Sequence, residues 1–404
     1  MPTIYRVAIT AAGVASPLGL GLVDTLKSLR AGRDCVSPVT GFEVSQTRAK
    51  TAGQIDCSQL QENLTRQERR LHRASHLLIA AAREAQQGDR HFIPELLIVG
   101  TTSGGMSFGE DYYRTQLGHP GPRCQRGQRA RWLANYLPQK AVHDAQEACG
   151  FTAPSQIIAN ACASGTNAIG HAFALIRAGK QRRILCGGYD AISEMVFVGF
   201  DSLQASTAEK IRPFDRDRSG LVLGEGAAML ALEEMQSALQ RGACILGEVT
   251  GYGISTDNHH LTQPHPSGIG PLQAMERALA SAGRQPREVD YVNAHGTATA
   301  FNDATEGTAI AQLFGAKGVP VSSTKSMMGH SLGAAGAIEA VFSVLSLQHG
   351  FLPPNINYAQ ADPAWDLDIV ANHSREARVR CVVSNSFGFG GTNASIVLEK
   401  AREN

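Results

Sequence analysis

The stretch Ile157-Ile158-Ala159-Asn160-Ala161-Cys162-Ala163-Ser164-Gly165 reads as a strand, a tight turn and the start of a helix. Its neighbours extend the reading to a strand over Gln156–Ala161 and a helix from about Gly165 to Ala178. The second half of the chain repeats the pattern. A short strand over Val319–Ser323 enters a small-residue loop, and a helix follows from about Gly333 to Gln348. Working outward, each half opens with an apolar strand running into a glycine turn, Arg6–Gly13 and Ile245–Gly253. Each half also closes on a Gly-rich hairpin between apolar strands. The first is expected over Leu221–Leu232 around Gly224-Glu225-Gly226, the second over Val382–Leu398 around Gly388-Phe389-Gly390-Gly391. Further strands at Glu95–Gly100, Arg183–Gly188 and Val289–Asn293 alternate with helices, one of them periodic through Leu71, Ala74, Leu78, Ala81 and Ala85. Alternation of this kind predicts an α/β protein with helices packed on largely buried sheets. The repeat predicts two related halves, 1–243 and 244–404, whose loops meet at one shared site.

Composition narrows the function. The chain has 404 residues, few charged side chains and a formal net charge of +1. No overall field favours nucleic acid or an anionic membrane. No apolar run reads as a bilayer span; the best, Ala337–Leu347, carries Glu339. The N-terminus lacks the layout of a signal peptide, so a cytoplasmic protein is expected. The eight cysteines are scattered without C-x2-C pairs, which fits reduced thiols better than disulfides or a zinc site. His259, His260 and His265 share a polar loop but have no carboxylate or cysteine at ligand spacing, so no metal is expected. Neither a G-x-S-x-G elbow nor a strand-to-helix G-x-G-x-x-G is present.

Cys162 would sit beside unpaired helix N–H groups, where the dipole stabilises a thiolate and lowers its pKa. Ala163, Ser164 and Gly165 would let a bulky substrate approach the backbone and leave N–H groups for an oxyanion. An inert buried cysteine fits the same spacing. The second half adds what a lone cysteine lacks. His295, in Asn293-Ala294-His295-Gly296-Thr297, and His330, after Ser322-Ser323-Thr324-Lys325-Ser326-Met327-Met328-Gly329, each follow a strand end. Two such histidines and Lys325 make a constellation that by itself also suits a hydrolase or a metal site.

Taken together, Asn160–Gly165, Asn293–Thr297, Ser323–Met327, Gly329-His330 and Asn385-Ser386-Phe387-Gly388-Phe389-Gly390-Gly391-Thr392-Asn393 resemble the β-ketoacyl-acyl-carrier-protein synthases of types I and II, in order and spacing over nearly the whole chain. The resemblance implies the thiolase-like fold, a duplicated five-layer αβαβα architecture. It implies an enzyme that joins an acyl thioester to malonyl-carrier protein by decarboxylative Claisen condensation. Cys162 would be the nucleophile, with His295 and His330 hydrogen-bonding the enolate. Lys325 would pair with Glu339. The N–H groups of Cys162 and Phe389 would form a second oxyanion site. Phe389 would gate the acylated cysteine within the Gly390-Gly391 turn, and Thr297 and Thr299 would hold the phosphopantetheine arm. Ser103, in Gly100-Thr101-Thr102-Ser103-Gly104-Gly105-Met106, would line the far end of the acyl pocket. Arg66, Arg69, Arg70 and Arg73 would dock the acidic carrier. No cofactor would be bound, since the substrates arrive on the carrier's phosphopantetheine. The partners would be acyl carrier protein and a second subunit, identical or a chain-length factor.

Three departures stand out against that family. Ala300-Phe301-Asn302-Asp303 replaces the usual Pro and Gly after Thr299, Gln204 stands where a docking arginine is common, and Tyr112–Gly150 is basic, with Arg123, Arg126, Arg129 and Arg131. They suggest a specialised synthase of polyketide or polyene type. Two alternatives remain. A chain-length-factor-like partner would have lost the cysteine. A thiolase acting on coenzyme A esters would carry a second cysteine, and Gly388–Gly391 has none.

Overall fold

Strand β1 (Val7–Ser16) is buried along its whole length, as its unbroken run of apolar and small residues requires of a strand covered on both faces. The computed structural model describes residues 4–62, 64–117 and 136–401, so Arg123, Arg126, Arg129 and Arg131 lie outside the described residues. Four further strands build the main path of the first sheet: β2 (Leu96–Gly100), β3 (Ser155–Ile158), β4 (Arg183–Asp190) and β5 (Gly226–Glu234). The second sheet contains β6 (Gly247–Thr256), β7 (Tyr291–Asn293), β8 (Pro320–Ser322), β9 (Cys381–Gly388) and β10 (Thr392–Glu399).

The spatial order is β3-β2-β4-β5-β1 in the first sheet and β8-β7-β9-β10-β6 in the second. The two orders are the same once the second set is renumbered from its own first strand. Directions match as well: the first three strands of each order are parallel, and the last two pairings are antiparallel. The duplication expected from the sequence is therefore present as topology. The sheets join where Val7–Ile9 of β1 pairs antiparallel with Gly247–Val249 of β6.

Helices fill five layers with these sheets. On the outer face of the first lie α1 (Arg73–Gly88) and α2 (Gln139–Cys149). Between the sheets run α3 (Ser164–Arg177) and, later in the chain, α6 (Ala335–His349). On the outer face of the second lie α4 (Ile269–Ala282) and α5 (Ala300–Phe314). The close seating of helix on strand depends on glycine at matching places. A Cβ on Gly13 of β1 would fall 2.1 Å from the Ala81 carbonyl oxygen of α1, and one on Gly253 of β6 would fall 2.2 Å from the Ala274 oxygen of α4. Leu332–His349, which includes α6, is long and apolar enough to cross a bilayer, yet 89% of it is buried inside the protein. Its hydrophobicity serves the central layer, where each fully buried large apolar side chain is worth about 1.5–3 kcal/mol.

One expected element is different. The first half does not close on a hairpin over Leu221–Leu232: β5 begins only at Gly226 and pairs with β4. The segment before it makes isolated bridges instead, Leu223 to His330 and Gly224 to Gly53. Its backbone groups are engaged by other loops and are not free for a strand partner in cis. The second hairpin forms over Cys381–Glu399 as expected.

Candidate active site

The two middle helices start from equivalent places, each after the third strand of its half, and so bring Cys162 and His330 toward each other. Cys162 lies just ahead of α3, after Ala161, whose φ of 54° is left-handed for a residue that has a Cβ. Such a conformation costs about 1–2 kcal/mol. The Ser164 hydroxyl offsets it by accepting from the Asn160 N–H at 3.0 Å and donating to the Ala161 carbonyl at 2.6 Å. Cys162 is 6% exposed and borders a cavity of about 240 Å³. Burial pushes its thiol up to about 12, while Lys325 and its own backbone N–H pull it back. Burial, the largest cause, thus runs against the lowered thiol pKa expected at a helix terminus.

His295 follows β7. Its own N–H and that of Gly296 donate to the two carboxylate oxygens of Glu306 at 2.9 and 2.8 Å. The next two N–H groups, of Thr297 and Ala298, donate to Asp303, which also takes the Phe214 N–H. Both acids lie on α5 and are fully buried. Burial raises both, Glu306 to about 7, against these N–H donors. A rigid cradle of two carboxylates thereby aims His295 into the cavity. His330 is held from another side, since its N–H donates to the Val222 carbonyl at 2.7 Å and its carbonyl accepts from the Gly224 N–H at 2.8 Å. That is the work of the segment misread as a hairpin.

The two imidazoles meet edge to face, with ring centroids 5.3 Å apart. Burial first, and the Lys325 cation next, hold both well below the usual histidine range. Both rings are therefore neutral near pH 7, and each carries one N–H donor. Nδ1 of His295 and both ring nitrogens of His330 have no hydrogen-bond partner among the described residues. Lys325 and Glu339, 0% and 1% exposed, form a buried ion pair behind them. Phe389 stands in the β9–β10 turn and stacks on Phe200 at 5.5 Å between ring centroids. Its turn closes through Gly390 and Gly391, with φ of 83° and 74°. A Cβ on Gly388 would fall 3.1 Å from the Cys162 nitrogen, so this turn rests directly on the Cys162 backbone. Cys162, His295, His330 and Phe389 all border one cavity.

Family models add identity to this geometry. That for the N-terminal domain of beta-ketoacyl synthase matches residues 5–238, and that for the C-terminal domain matches 246–359. The chain belongs to the β-ketoacyl synthase family. It is 38% identical to 3-oxoacyl-[acyl-carrier-protein] synthase 2 of Synechocystis sp. over 411 aligned positions, covering 98% of both chains. The ishigamide ketosynthase/chain length factor superposes with a TM-score of 0.90 at 34% identity, over 99% of this chain and 100% of that one. A ketosynthase in complex with a type II PKS acyl-carrier protein superposes with a TM-score of 0.87 at 27% identity, over 98% and 100%. The fold is accordingly the thiolase-like fold of ketosynthases.

Other residues singled out in this ketosynthase's sequence fall in varied places. Thr297 and Thr299 border the cavity with their hydroxyls 2.9 Å apart, and Thr299 also caps α5 by accepting from the Asn302 N–H. The unusual Ala300-Phe301-Asn302-Asp303 is simply the first turn of that helix. Gln204 lines the cavity mouth with a left-handed φ of 56°. Ser103 is 5% exposed, its hydroxyl donates to Asp190 at 2.8 Å, and it is not among the residues lining the Cys162 cavity. The four arginines do not share one helix face either, because Glu68–Arg70 is a separate 3-10 turn ahead of α1. Arg66, Arg69 and Arg70 are exposed, and Arg69 is tied to the Gln61 and Leu64 carbonyls. Arg73 leaves the docking set, since its guanidinium turns inward to the fully buried Glu225 and to the Ile55 carbonyl. Unread in the sequence were Glu306, Asp303 and Phe200. The acids sit three apart on one helix, a spacing whose only advance signal was that both precede no basic partner.

Proposed function

We propose that this chain is a β-ketoacyl-acyl-carrier-protein synthase, a condensing acyltransferase that works by decarboxylative Claisen condensation. The observation that carries the reading is the convergence, in one cavity, of a buried cysteine and two neutral histidines with unpaired ring nitrogens. Cys162 Sγ bonds to the acyl carbon, the carrier's phosphopantetheine sulfur leaves, and the thiol proton goes with it. Malonyl-carrier protein then enters. Its C–C bond to the carboxylate breaks, carbon dioxide departs, and the electron pair becomes an enolate. Neutral N–H donors on His295 and His330 hold that oxygen, the kind of preorganised stabilisation worth about 10²–10³ in rate per donor. The enolate carbon bonds to the acyl carbon, and the Cys162 C–S bond breaks. Sulfur leaves as thiolate and regains a proton. We assign the N–H groups of Cys162 and Phe389 to the acyl oxygen in this step.

Lys325 contributes at a distance: its positive field favours neutral histidines and eases ionisation of Cys162. Thr297 and Thr299 take the phosphopantetheine arm, and Phe389 moves off Phe200 when the cysteine is acylated. No resident cofactor enters the scheme. Arg66 and Arg70, with Arg69 beside them, receive the acidic carrier, and a second ketosynthase-type subunit completes the pocket. The free thiols among the described cysteines suit a cytoplasmic site for this reaction, in type II fatty-acid or polyketide synthesis. The test is intact-mass detection of an acyl adduct after incubation with acyl-carrier protein, lost in Cys162→Ala. A wild-type chain that never acquires the adduct would reduce it to a non-catalytic partner.

A further inference from the structure

Asp190 ends strand β4 with its side chain fully buried, and among the described residues no cation is paired with it. Six hydrogen-bond donations reach its two oxygens. Oδ1 takes the Thr101 hydroxyl at 2.8 Å, the Ser103 N–H at 2.7 Å, the Ser103 hydroxyl at 2.8 Å and the Gly104 N–H at 3.2 Å. Oδ2 takes the Thr102 N–H at 2.9 Å and the Gly333 N–H at 2.7 Å. Burial raises this carboxyl, while the donors around it favour its charged form.

The last of these bonds crosses between the halves. Gly333 lies three residues after His330, and between them Leu332 has a left-handed φ of 53°. A buried leucine in that conformation needs an anchor on each side. On the N-terminal side, Val222 and Gly224 hold the His330 backbone. On the C-terminal side the anchor is Asp190. Packing around it leaves no slack. A Cβ on Gly333 would fall 2.7 Å from Thr102 N and 2.8 Å from Asp190 Oδ2, and one on Gly165, in the first turn after Cys162, would fall 2.7 Å from the Gly333 carbonyl oxygen.

We propose that Asp190 is a positioning residue for the condensation, fastening the His330 loop of the second half onto the first half and so fixing where the His330 ring stands relative to Cys162. This rests on the enolate role given to His330 above. The two oxygens divide the labour: Oδ1 holds only the Thr101–Gly104 turn, while Oδ2 alone reaches Gly333. In Asp190→Asn the amide oxygen will settle on the four-donor side, which turns its NH2 against the Gly333 and Thr102 N–H groups. The variant thus releases the His330 loop and keeps most of the turn.

The test compares the half-reactions in the full-length protein. For Asp190→Asn, acyl transfer from acyl-carrier protein to Cys162 is expected within about twofold of wild type. Decarboxylation of malonyl-carrier protein is expected to lose on the order of ten- to a hundredfold in kcat with little change in KM, since a small misplacement of a catalytic group can cost that much. Thr101→Val, which removes one donor from Oδ1 and leaves the Gly104 N–H its bond to that same oxygen, is expected to leave both reactions near wild type. Equal loss of both reactions in Asp190→Asn, or full decarboxylation, overturns the proposal. If that variant does not fold, Asp190→Glu, which keeps the carboxyl but displaces it by one methylene, replaces it with the same two outcomes. A wild-type chain that neither loads nor decarboxylates would sink the ketosynthase reading itself, a result seen before any variant is made.

Discussion

Replacing Lys325 by methionine probes the site from behind. Lys325 and Glu339 are 0% and 1% exposed, and Glu339 Oε2 has no other partner among the described residues. Methionine keeps the length and removes the charge, leaving a carboxylate alone in the core. Breaking a buried pair in this way costs about 3–5 kcal/mol when the remaining group stays charged. Glu339 has an escape, because burial already raises its pKa and Lys325 is the group that pulls it back. Without Lys325 its folded pKa rises further above the unfolded value. A carboxyl with a raised folded pKa favours the folded state fully only below its unfolded pKa, and that stability is lost as pH climbs toward the folded pKa. The slope approaches about 1.4 kcal/mol per pH unit. The urea midpoint of Lys325→Met should therefore lie below wild type by more at pH 8 than at pH 6. Lys325→Met combined with Glu339→Gln should recover most of the loss, with little remaining pH dependence. The same midpoint as wild type at both pH values, or a double variant weaker than the single one, would refute the claim that this is an isolated buried pair.

Other perturbations address the front of the site. Selectively labelled His295 and His330 should keep neutral-ring 15N shifts down to pH 6, because their pKa values are lowered and protonation begins only well below 6.5; imidazolium signals at pH 6 would contradict the burial argument. Reversing Arg66 and Arg70 to glutamate should weaken turnover of carrier-bound substrate, more at low than at high salt, and spare small acyl thioesters; equal loss with both substrates would dismiss the docking role. Phe200→Ala removes the stacking partner of Phe389 and should raise the rate at which long acyl thioesters load Cys162 by several-fold, with short ones unchanged; a uniform effect on both would mean that the stack does not restrain the gate.

Much of this was legible in the chain. β-branched runs ending in small-residue turns marked the equivalent strands and helices, and both loops with chemistry followed such strand ends. What was not legible depended on partners far away in sequence. Arg73 read as a surface cation because Glu225 lies 152 residues away. Leu221–Gly224 read as a hairpin strand because an apolar segment before glycine looks the same whether it pairs with its neighbour or braces the His330 loop. The Cys162 thiol was placed low because a helix terminus is visible in sequence and the depth of burial is not. The buried carboxylates Glu306, Asp303 and Asp190 carry little sequence pattern, since most of their donors are backbone N–H groups, joined by the Asn385 and Asn302 amides and the Thr101 and Ser103 hydroxyls.

The most direct measurement separates the two half-reactions. Cys162→Ala is incubated with malonyl-carrier protein, alone and with His295→Ala and His330→Ala added, while carbon dioxide release and the enzyme's intact mass are followed. The Cys162→Ala protein should acquire no acyl adduct from acyl-carrier protein and should still release carbon dioxide. Loss of either histidine should cut that release on the order of a hundredfold. Release that continues at full rate without both histidines, or an adduct that survives without Cys162, would contradict the assignment of nucleophile and enolate stabilisers on which the account stands.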